Sequence, residues 1–177
     1  MEIIILSGAK GVGKTFLARK AQKKVKFDLF QVLNQMIKIA GLKYTKKDEK
    51  FILKKIFENE DFFTLLRRAT IRKIQTLKSD KIVVETRFAM PEKFFLPELT
   101  TNELDQLSPK KIILIESDRE TFRRNLSREV GRENFEEIVK RERNYSKFAA
   151  HHLKLRLNTI KNESINSSIQ KLVKAIK

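Results

Sequence analysis

The sequence has no cysteine and no tryptophan, and it spends only five glycines and three prolines on 177 residues. Without cysteine there is no disulfide framework, no thiolate zinc centre and no cysteine nucleophile, a pattern that fits a cytoplasmic protein. So little glycine and proline excludes collagen-like and low-complexity chains. No apolar stretch approaches the roughly 18 residues that span a bilayer, so no membrane partner is expected. The opening MEIIILSGAK carries Glu2 ahead of its short apolar run and lacks a basic leader, so it does not read as a signal peptide.

What the sequence has in excess is positive charge. Lys and Arg number 39 against 22 Asp and Glu, a formal balance of +17. That excess points to an anionic partner: a nucleotide, a nucleic acid or another polyanion. Hydrophobic residues at 41% alongside 34% charged residues argue for a folded chain rather than a disordered one. The excess is unevenly placed. Residues 1–60 hold 14 basic and 6 acidic side chains, residues 61–120 hold 11 and 10, and residues 121–177 again hold 14 and 6. The lysines of 16–26 and 43–55 read either as solvated faces of a heat-adapted protein or as a polyanion-binding surface.

Periodicity separates strands from helices. EIIIL at 2–6, KIVVET at 81–86 and KIILIES at 111–117 are apolar, β-branched runs without alternation, the pattern of strands covered on both faces. A short strand is expected near 24–27, and KLRLNTI at 154–160 is a more alternating fifth candidate. Helical spacing follows Lys14, runs through Phe30, Leu33 and Ile37 to a stop at Gly41, and continues through two amphipathic segments up to about residue 78. A final helix is expected over about 164–176. Strands separated by helices imply an α/β protein: a three-layer fold with a mainly parallel five-stranded sheet, in one domain spanning 1–177.

GAKGVGKT, comprising Gly8, Ala9, Lys10, Gly11, Val12, Gly13, Lys14 and Thr15, matches the P-loop pattern at every specified position. The strand before it and the helix after it supply the context that motif requires. Such a turn aims successive backbone N–H groups into one concavity, and the helix adds the positive end of its dipole, so the pair holds a nucleotide's β-phosphate. Lys14 then bridges the β- and γ-phosphates, and the Thr15 hydroxyl is a Mg2+ ligand. Nucleotide binding follows from these residues alone; the use made of it does not.

Beyond the P-loop the chain resembles the small nucleoside monophosphate kinases, in particular archaeal-type adenylate kinases, over nearly its whole length. The likeness rests on the P-loop, on Phe27 and Lys47-Asp48-Glu49 in the helical block, and on Glu85-Thr86-Arg87 where the family has Asp-Thr-His. FFLPELTTNELDQLSP, IILIESD and the arginine-rich FRRNLSREVGRE sit at family spacing. The resemblance implies ATP as phosphate donor, Mg2+ as cofactor and a nucleoside monophosphate, AMP first, as acceptor. It also implies a helical acceptor-binding insertion at about 30–78, a short lid at about 123–140 and a homotrimer as one assembly.

By the same resemblance Arg124, Arg128 and Arg132 lie over the phosphates, where guanidinium forks suit phosphate oxygens. Glu85, at a strand end, is placed to hold a Mg2+-bound water. Arg87 either contacts a phosphate or pairs with Glu85. The chain departs from the family at Glu85 and Arg87, and at Lys50 and Phe51, where an arginine is expected. An RNA-binding P-loop ATPase and a nucleotide-binding protein without catalysis remain as alternatives. His151 and His152 are adjacent near a helix end and cannot face one metal, so they read as a helix-terminal pair.

Overall fold

The structure is a computed structural model that describes residues 1–43, 49–89, 97–121 and 135–177. The elements in order are β1 (Glu2–Ser7), α1 (Lys14–Gln22), β2 (Asp28–Gln31), α2 (Val32–Ile39), α3 (Glu49–Phe57) and α4 (Glu60–Gln75). They continue with β3 (Lys81–Glu85), α5 (Thr101–Leu107), β4 (Lys111–Glu116), α6 (Phe135–His152), β5 (Leu157–Lys161) and α7 (Ile165–Ile176). The five strands lie in the order β2-β3-β1-β4-β5, and every neighbouring pair is parallel.

Alternation along each strand divides the core into two layers. Ile3 and Ile5 of β1, with Ile82 and Val84 of β3, pack against residues of α2, α4 and α5. Ile4 and Leu6, with Val83, Ile113 and Ile115, pack against α1 and α7. Both sheet faces are therefore covered, which is why the strands read as unbroken apolar runs. Each such side chain, fully buried, contributes about 1.5–3 kcal/mol. Phe63 of α4 is buried in the first of these layers against Phe57, with ring centroids 4.5 Å apart.

Two strands start later than the sequence pattern suggests, for local reasons. The strand expected near 24–27 is Asp28–Gln31, because the N–H groups of Lys24 and Val25 both donate to Ala21 O and prolong the end of α1. The strand expected at 154–160 is Leu157–Lys161, because Lys154 takes a left-handed φ of 54° and ends α6. There Lys154 N–H donates to His151 O and Leu155 N–H to Ala150 O. The start of α4 is capped by Asn59, whose side chain accepts from Phe62 N–H at 2.9 Å, and α5 begins with a Thr100–Glu103 capping box.

His152 sits 2.8 Å from Asp105, a contact between α6 and α5 that agrees with the helix-end reading of the histidine pair. Among the described residues no helix is long and apolar enough to cross a membrane.

Candidate functional site

The carboxyl ends of β1, β2 and β3 converge with the first turn of α1, and that convergence is the site. Between β1 and α1 the chain turns through Gly8, Gly11 and Gly13, all with positive φ. Two of these positions admit no side chain. A Cβ on Gly8 would stand 2.5 Å from the Ile115 carbonyl oxygen, and one on Gly13 would stand 2.7 Å from Asn162 Nδ2. That same Asn162 donates to Val12 O at 3.0 Å, tying the loop to the end of β5. Gly13 makes no side-chain cap and no acidic residue stands in the first turn of α1, so its leading N–H groups are left for an outside anion.

Lys14 is buried, and its ammonium donates to the carbonyls of Gly8 and of Ala9, the latter at 3.0 Å. Burial pushes its pKa below 10.5, and the Glu85 and Glu142 carboxylates push back. Beside it the Thr15 hydroxyl donates to Glu85 Oε1 at 2.6 Å. Gln31, the last residue of β2, donates to Glu85 Oε2 at 2.9 Å, and Asn34 donates to Gln31 at 2.8 Å. The structure thus brings together Lys14, Thr15 and Glu85, as the sequence suggested, and adds Gln31 and Asn34. The Thr15 and Glu85 oxygens form a donor set suited to Mg2+, a hard cation that keeps waters and phosphate oxygens as further ligands. Among the described residues no group of three or more His, Asp and Glu could hold a metal by itself.

Arg87 departs from one of its two expectations, the pairing with Glu85. Its guanidinium is held by Glu98, with Nε 2.7 Å from Oε1, while its backbone N–H donates to the other carboxylate oxygen at 2.9 Å. Glu98 is buried and also accepts from Thr86. The pairing with Glu85 is not formed, because the chain after β3 folds Glu98 back onto it. Arg124, Arg128 and Arg132 lie outside the described residues, as do Lys47 and Asp48 and most of the expected lid; residues 135–140 are the first turns of α6.

One residue at the centre of the site was missed. Glu142 of α6 is buried and accepts three backbone N–H groups: Gly8 at 2.8 Å, Phe88 at 2.9 Å and Ala89 at 2.5 Å. It therefore clamps the P-loop to the segment after β3. Burial raises its pKa, while Lys14 and the three N–H groups oppose that rise. One turn on, Ser146 meets Ser7 at 3.0 Å and fastens α6 to the end of β1. In the sequence, Glu142 is one carboxylate in a run of charges on an amphipathic helix, and nothing local distinguishes it. Arg143 beside it pairs with Glu116 at the end of β4, at 2.6 Å.

A family model described as AAA domain matches residues 7–140, which include the P-loop, Glu85 and Arg87. The fold is similar to shikimate kinase from Aquifex aeolicus, with a TM-score of 0.62 at 16% identity, covering 98% of this chain and 95% of that one. Shikimate kinase from Acinetobacter baumannii in complex with shikimate gives a TM-score of 0.62 at 15% identity, covering 98% and 92%. A gluconokinase from Sinorhizobium meliloti gives 0.50 at 7%, covering 99% and 91%. At these identities the likeness is one of fold. No curated protein sequence matches the chain.

Proposed function

The chain belongs to the AAA domain family, and from that premise we propose that it transfers the γ-phosphoryl group of ATP to a small acceptor, a nucleoside monophosphate in the first reading. The observation that carries the phosphotransferase reading is the meeting of the P-loop with Lys14, Thr15 and Glu85 at one end of the sheet. The leading backbone N–H groups of α1 cradle the β-phosphate. On nucleotide binding Lys14 exchanges its carbonyl contacts for β- and γ-phosphate oxygens. Thr15 and Glu85 would hold Mg2+, which would supply neutralisation of phosphate charge.

A monophosphate acceptor brings its own nucleophilic oxygen, so no strong base is required; positioning and charge stabilisation do the catalysis. Helices α2 to α4 form the acceptor insertion, and Arg124, Arg128 and Arg132 neutralise the transferring group. The monophosphate acceptor is supported by the order and spacing of the motifs shared with adenylate kinases.

A second reading is a hydroxyl acceptor, and one observation favours it: Arg87 is held by Glu98, while neutral Gln31 and Asn34 stand beside Glu85. Neutral amides suit hydroxyl groups better than a phosphate dianion. Solved neighbours of this fold include a shikimate kinase and a gluconokinase.

A coupled ADP-release assay with ATP and Mg2+, run separately with AMP, CMP, UMP, GMP, shikimate and gluconate, separates the readings. Stoichiometric ADP and nucleoside diphosphate supports the first, and ADP release driven by a hydroxy acid replaces it with the second. Slow ATP loss indifferent to every acceptor would overturn both.

A further inference from the structure

At the opposite end of the sheet an open groove of about 490 Å³ runs along β5, lined by Lys111, Arg156, Leu157, Thr159, Lys171 and Lys174 among others. We propose that this groove and the free edge of β5 form a docking surface for an acidic segment of a partner protein, added in extended form as a sixth strand.

The first support is charge without an internal use. Residues 153–177 carry six basic side chains and one acidic one, Glu163. Some described cations elsewhere are engaged, among them Lys81 with Glu2, Arg87 with Glu98 and Arg143 with Glu116. Arg156, Lys171 and Lys174 have no acidic partner among the described residues, and all three are exposed. Nor does the end of α7 need them to balance its dipole. Lys81 donates to Ile176 O at 2.6 Å and Lys111 to Ala175 O at 3.1 Å, so its last carbonyls are already met by lysines from the sheet.

The second support is the backbone. β5 ends the sheet. Asn162 N–H donates to Glu116 O, so by alternation the even-numbered residues of β5 face β4 while Leu157, Thr159 and Lys161 turn their N–H and C=O groups outward. Ser168 occupies the Lys161 carbonyl. The outward groups of Leu157 and Thr159 have no partner among the described residues. An extended peptide satisfies such groups by strand addition.

Charge then selects the occupant. A second copy of this chain would bring the same positive rim, so self-pairing is repelled. No aromatic side chain lines the groove, so it lacks the stacking platform that single-stranded nucleic acid uses. An acidic extended peptide meets both the edge and the charge.

The test uses fluorescence anisotropy on the full chain at about 50 mM salt, with a fluorescein-labelled peptide of alternating glutamate and valine. The controls are the same peptide with each valine replaced by proline, and an oligouridylate. The alternating peptide is expected to bind, and the proline peptide to bind about tenfold more weakly at equal charge. The double variant Lys171→Glu, Lys174→Glu should weaken binding about tenfold. Thr159→Pro deletes an outward N–H without touching β4 and should also weaken it. Both variants should keep the far-UV spectrum and the ATP turnover of the parent. No peptide binding overturns the proposal, as does equal binding of the proline peptide or tighter binding of the oligouridylate.

Discussion

The two ends of the sheet handle charge in opposite ways. At the carboxyl end, Lys14, Glu98 and Glu142 are buried, and each is held by named donors or acceptors. At the open edge beside β5, Arg156, Lys171 and Lys174 are exposed and unpaired. Burial makes position matter: a charge removed from water must be satisfied by a fixed partner, and it then fixes that partner in turn. Exposure leaves charge as a field, screened by salt over about 10 Å and indifferent to small displacements. Charge at the first end acts through geometry, and charge at the second through its field.

Substitutions at the buried end should therefore act through geometry, and those at the exposed edge through charge alone. Lys14→Ala is the largest expected effect: ADP release should fall about a thousandfold. Because burial already disfavours the Lys14 charge, its thermal midpoint should stay within about 4 °C of the parent. A drop well beyond that would mean Lys14 chiefly holds the empty loop.

Gly8→Ala comes next. It forces a Cβ against the Ile115 carbonyl at a φ of 149° and should cost about 3 kcal/mol in denaturant unfolding. Glu142→Gln follows, at about 2 kcal/mol in acid, since the amide turns an NH2 donor toward a site that already presents three backbone N–H groups. Here linkage sets the sign with pH. The folded-state pKa of Glu142 lies above its ordinary 4.5, so its contribution is fully present below pH 4.5 and declines as pH rises through the raised value. The parent's margin over Glu142→Gln should accordingly shrink from acid to neutral pH in thermal melts. A margin that grows would contradict burial as the dominant cause.

The smallest effect belongs to the edge. Lys171→Ala should leave both ADP release and the thermal midpoint unchanged within about 2 °C. A larger change would mean that the open edge and the site are energetically coupled.

Most of the fold was legible in the sequence because its signals are local. An unbroken apolar run such as KIVV or KIIL has one common explanation, a strand covered on both faces, and both became interior strands. The misplaced starts of β2 and β5 come from helix ends, where a few backbone bonds decide the boundary. The P-loop was legible for the same reason: glycine spacing and Lys14-Thr15 lie within eight residues. Gln31 and Asn34 were not, since neutral amides carry no pattern. Glu142 was invisible because its meaning depends on Gly8, 134 positions away, and on Phe88, 54 away.

The sequence alone determined the strand and helix types, the phosphate-binding turn and the size of the positive excess, because periodicity, motif spacing and composition are properties of neighbouring residues. Only the tertiary structure decided which carboxylate meets which cation. It gave Arg87 to Glu98 rather than Glu85, placed Glu142 under the P-loop, and left Arg156, Lys171 and Lys174 unmatched at an open edge. Ion pairing and burial act across space, and a chain's order in sequence does not encode which distant segments the packed core will bring together.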